Sequence, residues 1–287
     1  MVPAFPLASL VDPILDRALA EDLAGGDLTS EACIPPDHAG RGEFVARGPI
    51  VACGLVLAAR VFARVDPGVR VTHHVVDGEK VAAGGALLRV EGRARALLMG
   101  ERVALNFVQR LSGIATATRA FVDAIPAGGH LRIVDTRKTT PGLRVLERYA
   151  VRCGGGHNHR DMLGSAVLIK DNHIVVCGSV RAAIERARAH APHTTRIECE
   201  VDTLEQLDEA LAAGADVVLL DNMDDSTTQE AVRRVRAQKG DQVTVEASGN
   251  VAIERIPALS ATGVDVVSIG ALTHSVRAAD VGLDLHV

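Results

Sequence analysis

The chain has 287 residues, 47% of them apolar and 23% charged, with a formal net charge of -5. That length can bury roughly three quarters of the unfolded surface, and it admits one large domain or two. Mild acidity argues against a nucleic-acid backbone as partner, and a chain with no Trp and one Tyr offers no stacking platform for single strands.

Asp12–Leu23 has the helical period, with Ile14, Leu15, Ala18 and Leu19 along one face. Gly42–Val51 predicts a strand, and Leu55–Val65 returns to helical spacing. Val69–Val76 and Lys80–Val90 predict strands joined near the turn dipeptide Asp77-Gly78. This first part reads as α+β around an open antiparallel sheet. A helical region follows from about Ala94 to Ile125, broken or bent near Ser112-Gly113.

From there the rhythm is regular. Strands are expected near 131–135, 166–170, 196–201, 216–221, 242–247 and 265–269, with helices near 142–152, 179–190, 203–213, 226–238 and 252–261. Such alternation implies right-handed crossovers and a parallel sheet. Runs such as DVVLL and VDVVSI are apolar throughout, as when both faces of a sheet are covered. Polar residues end every strand: Asp135, Lys170, Glu198 with Glu200, Asp221, Glu246 with Ser248, and Gly270. That rim is where α/β barrels build active sites, whereas an open doubly wound sheet gathers its ligand groups at one switch point. Six strands rather than eight leave a barrel incomplete, or closed by the helical segment around 94–125.

The five cysteines (Cys33, Cys53, Cys153, Cys177 and Cys199) are widely spaced and lack a C-x-x-C pair. They read as reduced thiols of a cytoplasmic protein rather than a disulfide frame or zinc site. The opening MVPAFPLASLVDP has no basic region ahead of an apolar run and does not read as a secretory signal. No apolar stretch reaches bilayer length, so no membrane partner is expected.

Cations gather where two apolar runs stop. Arg137 and Lys138 follow Leu131–Val134, Lys170 follows Ala166–Ile169, and His159 and Arg160 lie in the glycine-led loop between. Any one of them alone reads better as a surface ion pair or a snorkelling stem. Together they would repel, by about 4 kcal/mol for two charges about 4 Å apart at an effective dielectric of 20. Asp135, Asp161 and Asp171 offset part of this, and a small polyanionic ligand would supply the rest. Glu198 and Glu200, two apart on a strand, face the same side. With Asp221 on the next strand they suit Mg²⁺, which prefers oxygen ligands, or they pair with the cations; spacing alone leaves both open. In VEASGNVAIERI a strand runs through Ala247-Ser248-Gly249-Asn250 into a helix, whose first N–H groups would face an anion. Barrels often bind phosphate in the loops after their last strands, and Gly270 to His274 would form the other wall. Gly154-Gly155-Gly156 does not follow a strand as G-x-G-x-x-G and is no dinucleotide fingerprint.

Nine segments stand in one order along the chain: EDLAGGDLTS (21–30), GERVALNFVQRLSGIAT (100–116), DTRKTTPGLR (135–144), GGGHNHR (154–160), IKDNH (169–173), ECEVD (198–202), LLDNM (219–223), EASGN (246–250) and IGALTHS (269–275). With them the chain resembles the quinolinate phosphoribosyltransferases, the carboxylating nicotinate-nucleotide pyrophosphorylases. The resemblance implies an α/β protein: an incomplete, six- to seven-stranded α/β barrel over residues 113–274. An N-terminal α+β open-faced sandwich domain would cover 1–112, joined by 275–287. It implies transfer of phosphoribose from phosphoribosyl pyrophosphate to quinolinate, with Mg²⁺, giving nicotinate mononucleotide, pyrophosphate and CO₂ in NAD synthesis. By the family pattern Arg137, His159, Arg160 and Lys170 bind the quinolinate carboxylates, and Arg102 reaches them from the partner subunit of a homodimer with shared active sites, or of a higher oligomer. Lys138 contacts phosphoribosyl pyrophosphate, Glu200 and Asp221 face the ribose and the Mg²⁺–pyrophosphate, and Ser248, Gly249, Asn250 and Gly270 hold the 5′-phosphate. Two other readings stay open: a paralogous phosphoribosyltransferase with another acceptor, and a Schiff-base aldolase using Lys138 or Lys170.

Overall fold

The computed structural model describes residues 3–286. Residues 1, 2 and 287, at the ends of the expected first domain, lie outside the described residues. In chain order the elements begin with α1 (Ala8–Leu23), α2 (Leu28–Cys33), β1 (Ala39–Ala46), β2 (Ile50–Val51), α3 (Leu55–Val65), β3 (Arg70–His73), β4 (Lys80–Val81) and β5 (Ala86–Arg93). Then come α4 (Ala94–Asp123), β6 (Arg132–Val134), α5 (Arg144–Cys153), β7 (Val167–Ile169), α6 (Asp171–Cys177), α7 (Val180–His190), β8 (Ile197–Val201) and α8 (Leu204–Ala212). The chain finishes with β9 (Val217–Asp221), α9 (Asp225–Lys239), β10 (Thr244–Ser248), a 3₁₀ turn (Ile253–Arg255) leading into α10 (Ile256–Thr262), β11 (Val266–Ser268), α11 (Ala271–His274) and β12 (Val281–His286). The described helices include none long and apolar enough to cross a membrane.

Two compact units result. One joins the described residues within 1–119, 139–155 and 272–287; the other joins 120–138 and 156–271. The first is built on an antiparallel sheet in the order β12-β1-β5-β3, with β2 and β4 as a separate pair. The expected hairpin across Asp77-Gly78 therefore does not form: β3 pairs with β5, and β4 pairs with β2. Asp77 is instead a buried acceptor. It takes the Leu55 N–H at the start of α3 at 3.0 Å and the Tyr149 hydroxyl at 2.8 Å. Burial raises the Asp77 pKa against these bonds. Phe44 of β1 and Phe62 of α3 meet edge to face at 6.0 Å in the core between sheet and helix, a pairing that contributes about 0.5–1.5 kcal/mol beyond its area.

The expected break near Ser112-Gly113 is absent, since α4 runs unbroken for 30 residues. Both residues have other reasons to be small. The Ser112 hydroxyl accepts the Cys53 N–H at 2.9 Å and donates to the Cys53 carbonyl at 3.1 Å. A Cβ on Gly113 would lie 2.2 Å from the Arg277 carbonyl oxygen, so the returning C-terminal segment passes directly over the helix backbone. That segment continues into β12, which completes the sheet beside β1.

The second unit is a parallel sheet of six strands, in the order β6-β11-β10-β9-β8-β7, linked by the α7 to α10 crossovers. Beyond β6, His157 makes a single parallel bridge to Val134: a seventh strand shrunk to one residue. The sheet is thus the incomplete barrel type expected, with a seam between its outer strands. Registers align Leu168 with Glu198, Glu200 with Leu219, Leu219 with Glu246, and Asp221 with Ser248. In-register neighbours share a face and the period is two. One face therefore carries Lys170, Glu198, Glu200, Asp221, Glu246 and Ser248. The other carries Ile169, Cys199, Val201, Val218, Leu220, Val245 and Val267, all buried, on a sheet packed by α7, α8 and α9.

Candidate active site

The polar face of the parallel sheet meets the loops that leave its strand ends. After β6 the chain turns sharply: the Lys138 N–H donates to the Thr136 hydroxyl at 3.0 Å, and the Lys138 side chain is exposed. Arg137 is half-buried beside Arg160. Burial first, and then the Arg137 charge, lower the Arg160 pKa, with Glu198 acting the other way. With the Arg137 charge beside it, Arg160 forms a site whose free energy falls when an anion arrives. Arg160 also donates to the Ala166 carbonyl at 3.0 Å, which fixes its reach toward the start of β7.

The loop carrying Arg160 is fastened at several points. His157 donates to the Ile133 carbonyl at 2.8 Å. Asp135, fully buried, accepts the His159 N–H at 2.8 Å through one oxygen and the Asn158 amide through the other. The His159 ring accepts the Arg160 N–H on Nδ1 at 2.8 Å, while Nε2 lies 3.3 Å from Glu198 and 3.5 Å from Glu246. Burial pulls the His159 pKa down, but the bonds to Glu198 and Glu246 outweigh it and push it up to about 10. A second ring proton would sit on Nδ1, facing the Arg160 N–H. Two N–H groups do not face each other at 2.8 Å, so this geometry, the stronger constraint, belongs to the neutral Nε2–H tautomer. Burial also raises the Glu198 pKa, His159 opposes it, and the neighbouring Glu246 adds to it.

Across the face, Lys170 ends β7 and its ammonium is ion-paired with Glu200 of β8. The Lys170 N–H donates to His173 Nδ1 at 2.9 Å, which starts α6 immediately after the strand. An ammonium held by a carboxylate offers no lone pair to a carbonyl carbon, so nothing at Lys170 favours a Schiff base. Glu200 and Asp221 supply the hard oxygen donors that Mg²⁺ takes, on one face and at the ends of adjacent strands. His159, Glu198 and Glu246 likewise bring three ligand atoms within 4.8 Å of one another, but a ring whose Nε2 carries the proton is no metal ligand.

The loops after β9 and β10 form one piece. Asn222 donates its amide to Asp221 at 2.7 Å and its N–H to the Ser248 carbonyl at 3.1 Å. Gly249 has φ +96°, and a Cβ there would fall 2.1 Å from Asn222 Oδ1 and 3.0 Å from its backbone nitrogen. Asn222 and Asn250 also take positive φ, 52° and 41°. Strained backbone of this kind collects at ligand sites. The helix expected near 252–261 opens with the 3₁₀ turn at Ile253, so the amides nearest the strand end belong to the loop. Gly270 leaves β11 just before α11, and Arg102, on α4 in the other unit, is exposed.

Structure thus brings Arg137, His159, Arg160, Lys170, Glu200, Asp221, Ser248 and Gly249 to one rim and face. The sequence names Asp135 and Glu246 only as polar strand ends and assigns no role to Asn158 or Asn222, yet all four hold the site together. Parity gave a signal for one of them, since Glu246 lies two residues before Ser248 and must share its face. Asn222 gave none, because the Ser248 carbonyl that takes its N–H lies 26 residues away.

Family models match over both units. Residues 27–112 match the quinolinate phosphoribosyl transferase N-terminal domain, and residues 114–284 match the C-terminal domain. The chain is 48% identical over 272 residues to the carboxylating nicotinate-nucleotide pyrophosphorylase of Mycobacterium leprae, covering 94% of this chain and 95% of that protein. Among solved structures it is similar to NadC from Streptococcus pyogenes, at 38% identity and a TM-score of 0.94 with 99% of each chain covered. It is similar too to the nicotinate-nucleotide pyrophosphorylase of Francisella tularensis, at 36% identity and a TM-score of 0.92, covering 100% of this chain and 99% of that one.

Proposed function

The chain belongs to the quinolinate phosphoribosyltransferase family and makes nicotinate mononucleotide for NAD biosynthesis from quinolinate and phosphoribosyl pyrophosphate, and we propose that the polar face of its parallel sheet is where it does so. Arg137, Arg160 and Lys170 hold the two carboxylates of quinolinate. Lys138, exposed on its turn, reaches the phosphoribosyl pyrophosphate. Glu200 and Asp221 face the ribose, where their charge stabilises the oxocarbenium-like carbon as pyrophosphate departs. The backbone amides of Ser248, Gly249, Asn250 and Gly270 hold the 5′-phosphate. The observation that carries this reading is the half-buried Arg137–Arg160 pair, which a dianionic ring would neutralise.

Transfer precedes decarboxylation. Once ribose is attached, the ring nitrogen is cationic and stabilises the negative charge that CO₂ leaves on the adjacent carbon. Glu200 and Asp221 are the residues that would hold Mg²⁺, which when bound neutralises the leaving pyrophosphate. Lys170, paired with Glu200, keeps that carboxylate turned along the face of the sheet.

The working form is a homodimer with shared active sites, or a higher assembly of it, in the cytoplasm. Supporting this are the exposure of Arg102 on α4, the residue that the family pattern places in a neighbouring subunit's site, and exposed apolar side chains, Met162, Leu163, Val175 and Val176. Five free cysteines fit a reducing compartment. The test is an incubation with quinolinate, phosphoribosyl pyrophosphate and Mg²⁺, following CO₂ and pyrophosphate together, with a parallel reaction in chelator. Equal release of both products, abolished by the chelator, is expected. Turnover with nicotinate instead of quinolinate would point to a different acceptor.

A further inference from the structure

His159 differs from the cations around it in where its ring is committed. Nδ1 accepts the Arg160 N–H at 2.8 Å. Nε2 faces Glu198 at 3.3 Å and Glu246 at 3.5 Å, and its side chain is only 15% exposed. A quinolinate carboxylate needs a donor. Nδ1 has no proton to offer it, and the Nε2 proton already faces two carboxylates that would repel a third. What the ring does touch leads to Arg160: Nδ1 sets the direction of that residue's peptide, and the guanidinium is anchored on the Ala166 carbonyl at 3.0 Å.

Glu246 adds a second observation. It is 3% exposed, and its Oε1 is buried with no hydrogen-bond partner. A carboxylate buried with an unsatisfied oxygen works against folding. Its other oxygen lies 3.5 Å from His159 Nε2. Glu198 approaches the same nitrogen from β8, so carboxylates on two strands face the ring while Asp135, just past β6, accepts its backbone N–H.

We propose that His159, Glu198 and Glu246 are positioning residues that hold Arg160 in place for carboxylate binding, and that His159 is not itself a ligand of quinolinate. This rests on the reading that Arg160 binds a quinolinate carboxylate.

The first measurement uses the unmodified protein labelled with ¹⁵N-histidine, with the His159 signals assigned by their loss in His159→Asn. The ring should show a protonated Nε2 and a bare Nδ1, both unmoved as quinolinate is added to saturation. A doubly protonated ring, or ring nitrogens that shift with quinolinate, would overturn the proposal. The second is kinetic. Glu246→Ala should raise the quinolinate KM about tenfold and leave the phosphoribosyl pyrophosphate KM within about twofold. Glu246→Gln, whose amide oxygen still accepts from Nε2, should recover most of that loss without a lower Tm. A Gln variant as impaired as the Ala variant would show that the ring is not held through acceptance of its proton, and the proposal would fall. Arg160→Ala separates the premise from the inference. If it leaves the quinolinate KM unchanged, the underlying reading is wrong. If it raises KM while the His159 ring responds to quinolinate, only the positioning role is wrong.

Discussion

Gly249→Ala tests whether the loops after β9 and β10 are one device. The new methyl would sit 2.1 Å from Asn222 Oδ1 and 3.0 Å from the Asn222 nitrogen, on a backbone with φ +96°. A non-glycine residue in left-handed backbone costs about 1–2 kcal/mol. Turning the Asn222 amide away breaks its 2.7 Å bond to Asp221, which at an exposed position costs about 1 kcal/mol. Reduced freedom of the unfolded chain returns about 0.4–1 kcal/mol. The net loss is therefore about 1–2.5 kcal/mol, at about 2–4 °C of Tm per kcal/mol. Urea unfolding with linear extrapolation measures it, and Asn222→Gly is the partner variant. Because Asn222 itself has φ 52°, glycine is tolerated there, and since the bond to Asp221 is lost only once, the double variant should be about 1 kcal/mol more stable than the sum of the two single losses predicts. In parallel, Gly249→Ala should raise the KM for phosphoribosyl pyrophosphate and spare that for quinolinate. Stability within about 0.5 kcal/mol of the parent, or losses that simply add in the double variant, would refute the coupling of the two loops.

Three further outcomes are expected. Lys138→Ala should lower kcat by about a hundredfold or more, because it removes a charge from a transferring group; single-turnover rates close to the parent would exclude that role. Arg102→Ala and Lys170→Ala proteins should each be nearly inactive, yet an equimolar mixture allowed to exchange subunits should regain about a quarter of parental activity, since half the dimers are mixed and one of their two sites is intact; no recovery after verified exchange rules out the shared site. Glu230 lies between Arg233 and Arg234, whose hydrogen bonds hold its pKa down to about 2 from an ordinary 4.5. A depressed carboxylate stabilises the fold above its unfolded pKa and loses that contribution as pH falls, so Glu230→Gln should flatten the stability profile between about pH 4.5 and 2, and an unchanged acid limb would mean the pair forms no stronger in the folded chain.

Much of this architecture was legible because strands and helices in the second half of the chain have different periods. Val217–Asp221 and Ile197–Val201 fall within a residue of the predicted strands, and Leu55–Val65 is the predicted helix without change. Small polar residues were misread where tertiary contact outweighs propensity. Ser112-Gly113 looked like a break, but Gly113 is small because the Arg277 carbonyl approaches it, and that contact spans 164 positions. Asp77-Gly78 looked like a hairpin turn, but its carboxylate caps the start of α3. Helix α6 was missed because its start depends on His173 capping the Lys170 N–H, a bond that no propensity reveals. At the site, the charged residues announced themselves by clustering at strand ends. What Asp135, Glu246 and Asn222 hold was not legible, because His159 and Ser248 lie far from them along the chain.

The strict parity of the parallel sheet limits which changes in chain length this enzyme can survive. Loss or gain of a single codon inside β8, β9 or β10 would exchange the faces from that point on, sending Glu200, Asp221 or Ser248 into the helix layer and bringing Cys199, Leu220 or Ala247 toward substrate. Indels should therefore be tolerated in the turns on the far side of the sheet, where α8 and α9 hand the chain back to the strands, and be purged from the strands themselves even when every charged residue is retained.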